Sequence, residues 1–178
     1  NVNLCGLMVL ILLGAMMPAR AADVSAASFG RTVDGAILFL ANRQSEDGSF
    51  SAETGVGVTA LVTTSLLKHG RPVEDPVVAK GLAYVLGKAK SDGGIYREGS
   101  KYRNYETCLA LMCLSAANTD GRYDAQLLAG RQFVKTIQWD EGEGKASPDM
   151  AYGGAGYGSH GRPDLSNTSF MVEALIEA

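Results

Sequence analysis

Apolar residues recur every three or four positions in six stretches of the chain, divided by clusters of Gly, Asp, Ser and Pro. A helix completes a turn in 3.6 residues, so this spacing gathers the apolar residues of each stretch on one face. Val33, Ala36, Ile37, Leu40 and Ala41 predict a first helix from about Ser28 to Gln44. Val58, Leu61, Val62, Ser65 and Leu66 predict the buried face of a second, from about Val58 to His69. Gly70 then suits the left-handed residue that closes a helix, and Pro72 prevents continuation. Asp75 caps a third helix, and Pro76 sits at its first position, where the missing N–H has no partner to lose. Val78, Leu82, Val85 and Leu86 line its inner side.

A fourth helix is expected from about Tyr105 to Ala117, with Cys108, Leu109, Met112 and Ala116 as its stripe. A fifth runs from Tyr123 or Asp124 to Trp139 and carries Leu127, Val134 and Ile137. A long polar, Gly-rich loop over 140–163 separates it from a sixth, which begins at Ser166 or Asn167. Met171, Ala174, Leu175 and Ala178 form the sixth stripe, which is uncapped at Ala178 and predicts further sequence beyond it. No stretch of useful length alternates with the period of two that a strand requires. The fold class is therefore all-α.

The helices pair, and the pairs repeat. The first copy contains Gly35, Phe39, Gln44 and Asp47-Gly48-Ser49-Phe50, followed by Thr59. The second contains Lys80-Gly81, Tyr84 and Asp92-Gly93-Gly94-Ile95-Tyr96, followed by Thr107. The third contains Gly130, Phe133, Gln138 and Gly153-Gly154-Ala155-Gly156-Tyr157, followed by Thr168. Asp47 and Asp92 are 45 residues apart, and Thr59 and Thr107 are 48 apart. A period of about 40–50 residues with two helices each signals stacked helical hairpins.

Composition narrows the possibilities. The 178 residues are 46% apolar and 20% charged, which suits a packed domain and not a disordered one. A net charge of −3 gives no basic field for nucleic acid. Leu4 to Met17 is apolar but shorter than the roughly 20 residues that span a bilayer. It leads to Ala19-Arg20-Ala21, so residues 1–21 read as a signal peptide cut after Ala21, and the protein as exported to a periplasm, a cell envelope or the outside. A retained leader is the alternative, and it would be the only membrane contact. Cys5 precedes the apolar run, whereas a lipoprotein cysteine would follow it. Cys108 and Cys113 would point ~140° apart on one helix, which prevents a bridge and suits small buried apolar side chains.

The recurring element is a Gly, an aromatic residue, Gln, and then Gly-x-aromatic. It resembles the QW repeat of the terpenoid cyclases, squalene–hopene cyclase and oxidosqualene cyclase among them. The protein prenyltransferase β subunits share that architecture. Gly35, Phe39, Gln44, Gly48 and Phe50 match in the first copy. Lys80, Gly81, Tyr84, Gly94 and Tyr96 match in the second, where Ala89 replaces Gln. Gly130, Phe133 and Gln138 match in the third, which diverges through an insertion before Gly156 and Tyr157. The resemblance covers 28–178 and implies a partial α/α toroid, a half ring of three hairpins. The helices near Val58, Tyr105 and Asn167 would line its inside, and those near Val33, Leu82 and Val134 its outside.

The family's chemistry is not carried over with its repeats. Squalene–hopene cyclases protonate an alkene with a crowded Asp-x-Asp-Asp, in which neighbouring carboxylates raise one pKa. The nearest groups here, Glu46-Asp47, Asp120 with Asp124, and Asp140-Glu141-x-Glu143, lie among turn residues and read as solvated loops or caps. The prenyltransferase zinc ligands have no counterpart in Tyr105-Glu106-Thr107 or Ser166-Asn167-Thr168, and His69 and His160 are the only histidines. Gly153 to Gly158 lacks the preceding strand and the Lys-Ser/Thr of a phosphate loop.

In the implied toroid, a site falls at the mouth of the ring, where loops enter the inner helices. The candidates from the second copy are Tyr96, Tyr102, Tyr105 and Glu106, and those from the third are Tyr157, His160, Asp164 and Asn167. Tyrosines there can line an apolar cavity. The sequence thus reads as an exported, non-catalytic binding or scaffolding module for a protein or hydrophobic ligand, with no metal or cofactor. The alternative is a terpene-cyclase-like isomerase, lyase or transferase acting on an isoprenoid, with catalytic residues supplied from outside this stretch.

Overall fold

A computed structural model describes residues 25–158 and 161–178. The predicted leader over 1–21 lies outside the described residues, as does His160. The described residues form six α-helices: α1 (Ala26–Ala41), α2 (Gly57–Lys68), α3 (Pro76–Leu86), α4 (Arg103–Ala117), α5 (Asp124–Lys135) and α6 (Leu165–Glu177). Among them there is no strand, only an isolated bridge between Ala89 and Ile95. The all-α expectation holds.

The expected helix signals operate. The Asp75 carboxylate accepts from the N–H groups of Val77 and Val78, ahead of Pro76. The α2 end is a Schellman turn: Arg71 N–H donates to Leu66 C=O, and Gly70 N–H to Leu67 C=O, with Gly70 at φ +82°. Ser25 caps α1, and Asp164 caps α6 by accepting from Asn167 N–H.

α2, α4 and α6 pack side by side with α4 in the middle, and α3 and α5 pack across the junctions between them. The core follows from that order. On α3, Val78, Leu82 and Val85 are buried; on α5, Leu127 and Val134 are, with Ile137 just beyond it. α4 is enclosed on almost every side, far beyond its predicted stripe: Ala110, Leu111, Cys113, Leu114 and Ala117 are buried together with Cys108 and Leu109.

The predicted face of α2 needs correction. Val58, Leu61 and Ser65 are exposed, while Thr59, Ala60, Thr63, Thr64 and Leu66 are buried. Small and hydroxylated residues face the neighbours because those neighbours approach closely. A Cβ on Gly81 of α3 would stand 2.3 Å from Thr63 Oγ1. Apolar periodicity scores threonine as polar and so selects the wrong side. α1 differs again. Val33, Ile37, Leu40 and Ala41 are half-buried as expected, Ala36 is exposed, and no residue of the helix is fully buried.

The three hairpin loops share one set of backbone hydrogen bonds. Ser45, Lys90 and Trp139 each donate an N–H to the C=O of Ser49, Gly94 and Gly154, at 2.9, 2.8 and 2.8 Å. Each then accepts from the N–H of Gly48, Gly93 and Gly153. These three glycines have φ of +88°, +91° and +79°, a conformation that costs an L side chain about 1–2 kcal/mol. Downstream, Thr59, Thr107 and Thr168 each use the hydroxyl to accept from one loop N–H and donate to the same residue's C=O. Those loop residues are Phe50, Ile95 and Ala155. Gly93 and Ile95 therefore correspond to Gly48 and Phe50, one position earlier than the match of Gly94 and Tyr96. Gly153 and Ala155 correspond in the third copy, in place of Gly156 and Tyr157. Gln44 and Gln138 donate to the carbonyls of Gly48 and Gly153, and Ala89 leaves the second loop to its backbone.

Candidate functional site

The threonine register also explains a cleft. Two positions before each threonine stand Gly57, Tyr105 and Ser166, in the first turns of α2, α4 and α6. All three line one cavity of about 350 Å³. Because the three helices lie side by side, equivalent positions converge at one end. Val58 of α2, Phe170 of α6, and Tyr102 and Tyr157 from the entering loops complete the walls.

The walls are aromatic. Tyr105 packs edge-on against Phe170 at 5.2 Å between centroids and against Tyr157 at 6.2 Å, and Tyr102 meets Tyr157 at 5.2 Å. T-shaped pairs of this kind hold their rings in place at about 0.5–1.5 kcal/mol each beyond burial. Gly57 keeps the cleft open on the α2 side, since a Cβ there would stand 3.4 Å from Tyr105 Cε1 and 3.1 Å from Leu109 Cδ1.

Glu106 touches the cleft but is committed elsewhere. It is buried, and one carboxylate oxygen accepts from Val56 N–H at 3.1 Å and Arg97 N–H at 2.8 Å. The other accepts from the Ser100 hydroxyl, which in turn accepts from Tyr102 N–H. Three donors satisfy the charge that burial would otherwise penalise. Glu106 thereby ties the segment before α2 to the 97–100 loop and sets the position of Tyr102. Gly55 must lack a side chain here, because its Cβ would lie 2.8 Å from the Glu106 carboxyl.

Four of the eight sequence candidates thus come together: Tyr102, Tyr105, Glu106 and Tyr157. Tyr96, Asp164 and Asn167 do not join them. Tyr96 is buried against Phe133 at 5.6 Å, beneath the Arg103 guanidinium, and its hydroxyl donates to Asp92. Burial, reinforced by that hydrogen bond, raises its phenol pKa. Asp164 serves as the α6 cap, and the donated Asn167 N–H holds its carboxylate below the ordinary value. Asn167 is buried; its amide donates to Asp164, and its Oδ1 finds no partner among the described residues. His160 lies outside the described residues.

The sequence reading missed Thr54, Gly57, Val58, Ser166 and Phe170. The signal was present: the equivalence of Thr59, Thr107 and Thr168 carries Tyr105 onto Gly57 and Ser166.

A second hollow, of about 430 Å³, shares Tyr157 with the cleft and is lined by Ser100, Lys101, Arg103 and Gly158 among others. Cys108 and Cys113 are free and buried, and desolvation pushes both thiols up to about 12, leaving no thiolate at neutral pH. Among the described residues, no three His, Cys, Asp or Glu side chains are grouped to hold a metal, and no helix is long and apolar enough to cross a membrane. Compared with protein-family models, with curated proteins and with solved structures, the chain finds no match in any of the three.

Proposed function

We propose that the chain is an exported, non-catalytic binding module built from three hairpins of the terpenoid-cyclase and prenyltransferase repeat type, arranged as part of an α/α toroid. Its aromatic cleft receives a hydrophobic ligand or an apolar segment of a partner protein. The observation that carries this reading is the cleft itself. Four aromatic rings converge where three equivalent helices begin, and the one carboxylate among them is held by three donors. Such walls offer apolar area and ring faces, which suit binding. Proton donation to an alkene needs a carboxylic acid kept protonated and free to donate, and Glu106 already accepts three hydrogen bonds.

A linear isoprenoid alcohol is a suitable probe, followed by titration calorimetry and by amide shifts of Gly57 and Phe170. Saturable binding is expected, weakened about tenfold by Tyr105→Ala and again by Phe170→Ala, or ~1.4 kcal/mol each. Unchanged melting curves would place the losses at the cleft. Absence of binding, or affinity indifferent to both substitutions, defeats the ligand reading. Conversion of a linear polyprene to a cyclic product would establish the enzyme in its place. Export is checked separately, by intact mass of the secreted product, which should begin at Ala22.

A further inference from the structure

The aromatic cleft carries charge as well as apolar area. Among the described residues that line it there is Glu106 but no Lys, Arg or His. Glu106 takes part in none of the ion pairs among the described residues. Its three donors are two backbone N–H groups and a hydroxyl, all neutral. They stabilise the carboxylate without cancelling its charge. A buried carboxylate that lacks a counter-cation leaves a negative potential in the space beside it, and low-dielectric walls sustain that potential.

The rings add to it, because the face of an aromatic ring is its negative side. Elsewhere the chain covers such faces with its own cations. Arg43 lies over Phe39 at 4.9 Å, Lys88 over Tyr84 at 4.7 Å, Arg103 over Tyr96 at 5.3 Å and Lys145 over Trp139 at 5.5 Å. Among the described residues, no cation lies over Tyr102, Tyr105, Tyr157 or Phe170. The paired rings of the cleft meet at 66° to 83°. Rings at such angles stand as walls around one volume, whereas parallel stacking would hide their faces on one another. Tyr102 and Tyr157 are 50% and 48% exposed, so a solute can reach them.

We propose, resting on the reading of the cleft as a binding site, that its ligand carries a quaternary ammonium group seated among these four rings, within the field of Glu106. A primary ammonium suits the site less well. It brings three N–H donors, and a carboxylate has about four lone-pair sites, of which Glu106 has already used three. A trimethylammonium group has no N–H to satisfy, and its charge is spread over methyl groups that pack on ring faces. A volume of about 350 Å³ is at the small end for ligand cavities, which suits a compact head group with the first atoms of an attached chain.

Choline and neohexanol are the probes. They share a shape, but neohexanol has a carbon atom in place of the charged nitrogen. Each is titrated into the full chain and followed by the amide shifts of Gly57 and Phe170. Choline should bind about tenfold more tightly than neohexanol. Tyr105→Leu keeps apolar bulk and removes a ring face, so it should cut that ratio about threefold, whereas Tyr105→Phe should preserve it. Glu106→Gln keeps the shape and removes the charge, and it should cut the ratio as well. If its melting curve shows that it fails to fold, the Tyr105 pair decides. Equal affinities for the two probes, or a ratio unmoved by Tyr105→Leu, overturn the proposal and leave the cleft an apolar site. So does binding of the isoprenoid alcohol alone. If none of the three probes binds, the cleft reading falls with it. Sedimentation with phosphatidylcholine vesicles, reversed by free choline, assigns the group to a lipid head. Choline binding without it assigns a free quaternary amine.

Discussion

α4 and α1 are 15 and 16 residues long, yet ten residues of α4 are buried and none of α1 is. Their own composition does not account for this. α1 carries Phe29, Val33, Ile37, Leu38, Phe39 and Leu40, whereas α4 buries Asn104, Glu106 and Thr107. Neighbours account for it. α4 packs against α2, α3, α5 and α6, whereas α1 reaches the core chiefly through Ile37. In a stack of helices, each gains most of its stability from the elements on either side, and among the described residues α1 has few such neighbours. The polar groups of α4 become structural because enclosure forces each to find a partner.

The contrast is most exposed by paired truncations. Leu111→Ala in α4 removes a fully buried side chain and should lower stability by about 2–5 kcal/mol in urea titrations. Leu38→Ala in α1, where the side chain is exposed, should change it by no more than about 0.5 kcal/mol. Comparable losses would mean that α1 is packed as tightly as α4. The loops offer a second pair. Gly153→Ala should cost only the left-handed conformation, about 1–2 kcal/mol. Gly48→Ala incurs that strain and also drives a Cβ into the Lys80 carbonyl, which should add about 1–3 kcal/mol. Equal losses would show that the first junction can open to admit a methyl group.

Helix existence was legible because caps, proline positions and apolar spacing agreed, as at Asp75-Pro76 and Gly70. The packed side of α2 was not, because Thr59 is buried for its hydroxyl, which bonds Phe50, and Thr63 for its small size against Gly81, and neither for apolarity. The loop register slipped because the visible aromatics, Phe50, Tyr96 and Tyr157, attract the eye, whereas the equivalent positions hold Phe50, Ile95 and Ala155. Backbone conformation and the threonine hydroxyl set that register, and neither leaves an aromatic signature. Half of the cleft was legible because its tyrosines are conspicuous. Gly57 and Ser166 were not, since they shape it by being small.

The enclosure of α4 also has a pH signature. Cys108 and Cys113 titrate near 9.0 when exposed and are pushed up to about 12 in the fold. Between these values the unfolded chain has released protons that the folded chain still holds. Stability present below about pH 9 is therefore lost as pH rises, by up to ~1.4 kcal/mol per pH unit for each thiol. Burial also raises the Tyr84 and Tyr96 phenols, which act in the same direction, so the slope in wild type alone is not diagnostic. Comparing the slope of stability against pH from 9 to 11 in wild type and in Cys113→Ala isolates one thiol. The variant should show the shallower fall, and identical slopes would mean that the Cys113 thiol is wet.

The smallest effect should have the opposite sign. A Cβ on Gly93 collides with Ala129 C=O, but one on Gly35 meets nothing among the described residues. Glycine inside a helix costs about 0.8–1 kcal/mol relative to alanine, through backbone entropy alone. Gly35→Ala should therefore stabilise α1 by somewhat less than that. Because α1 is attached weakly, the gain should appear as local protection and not as a global shift. Hydrogen exchange of α1 amides should slow about threefold, with α4 unchanged.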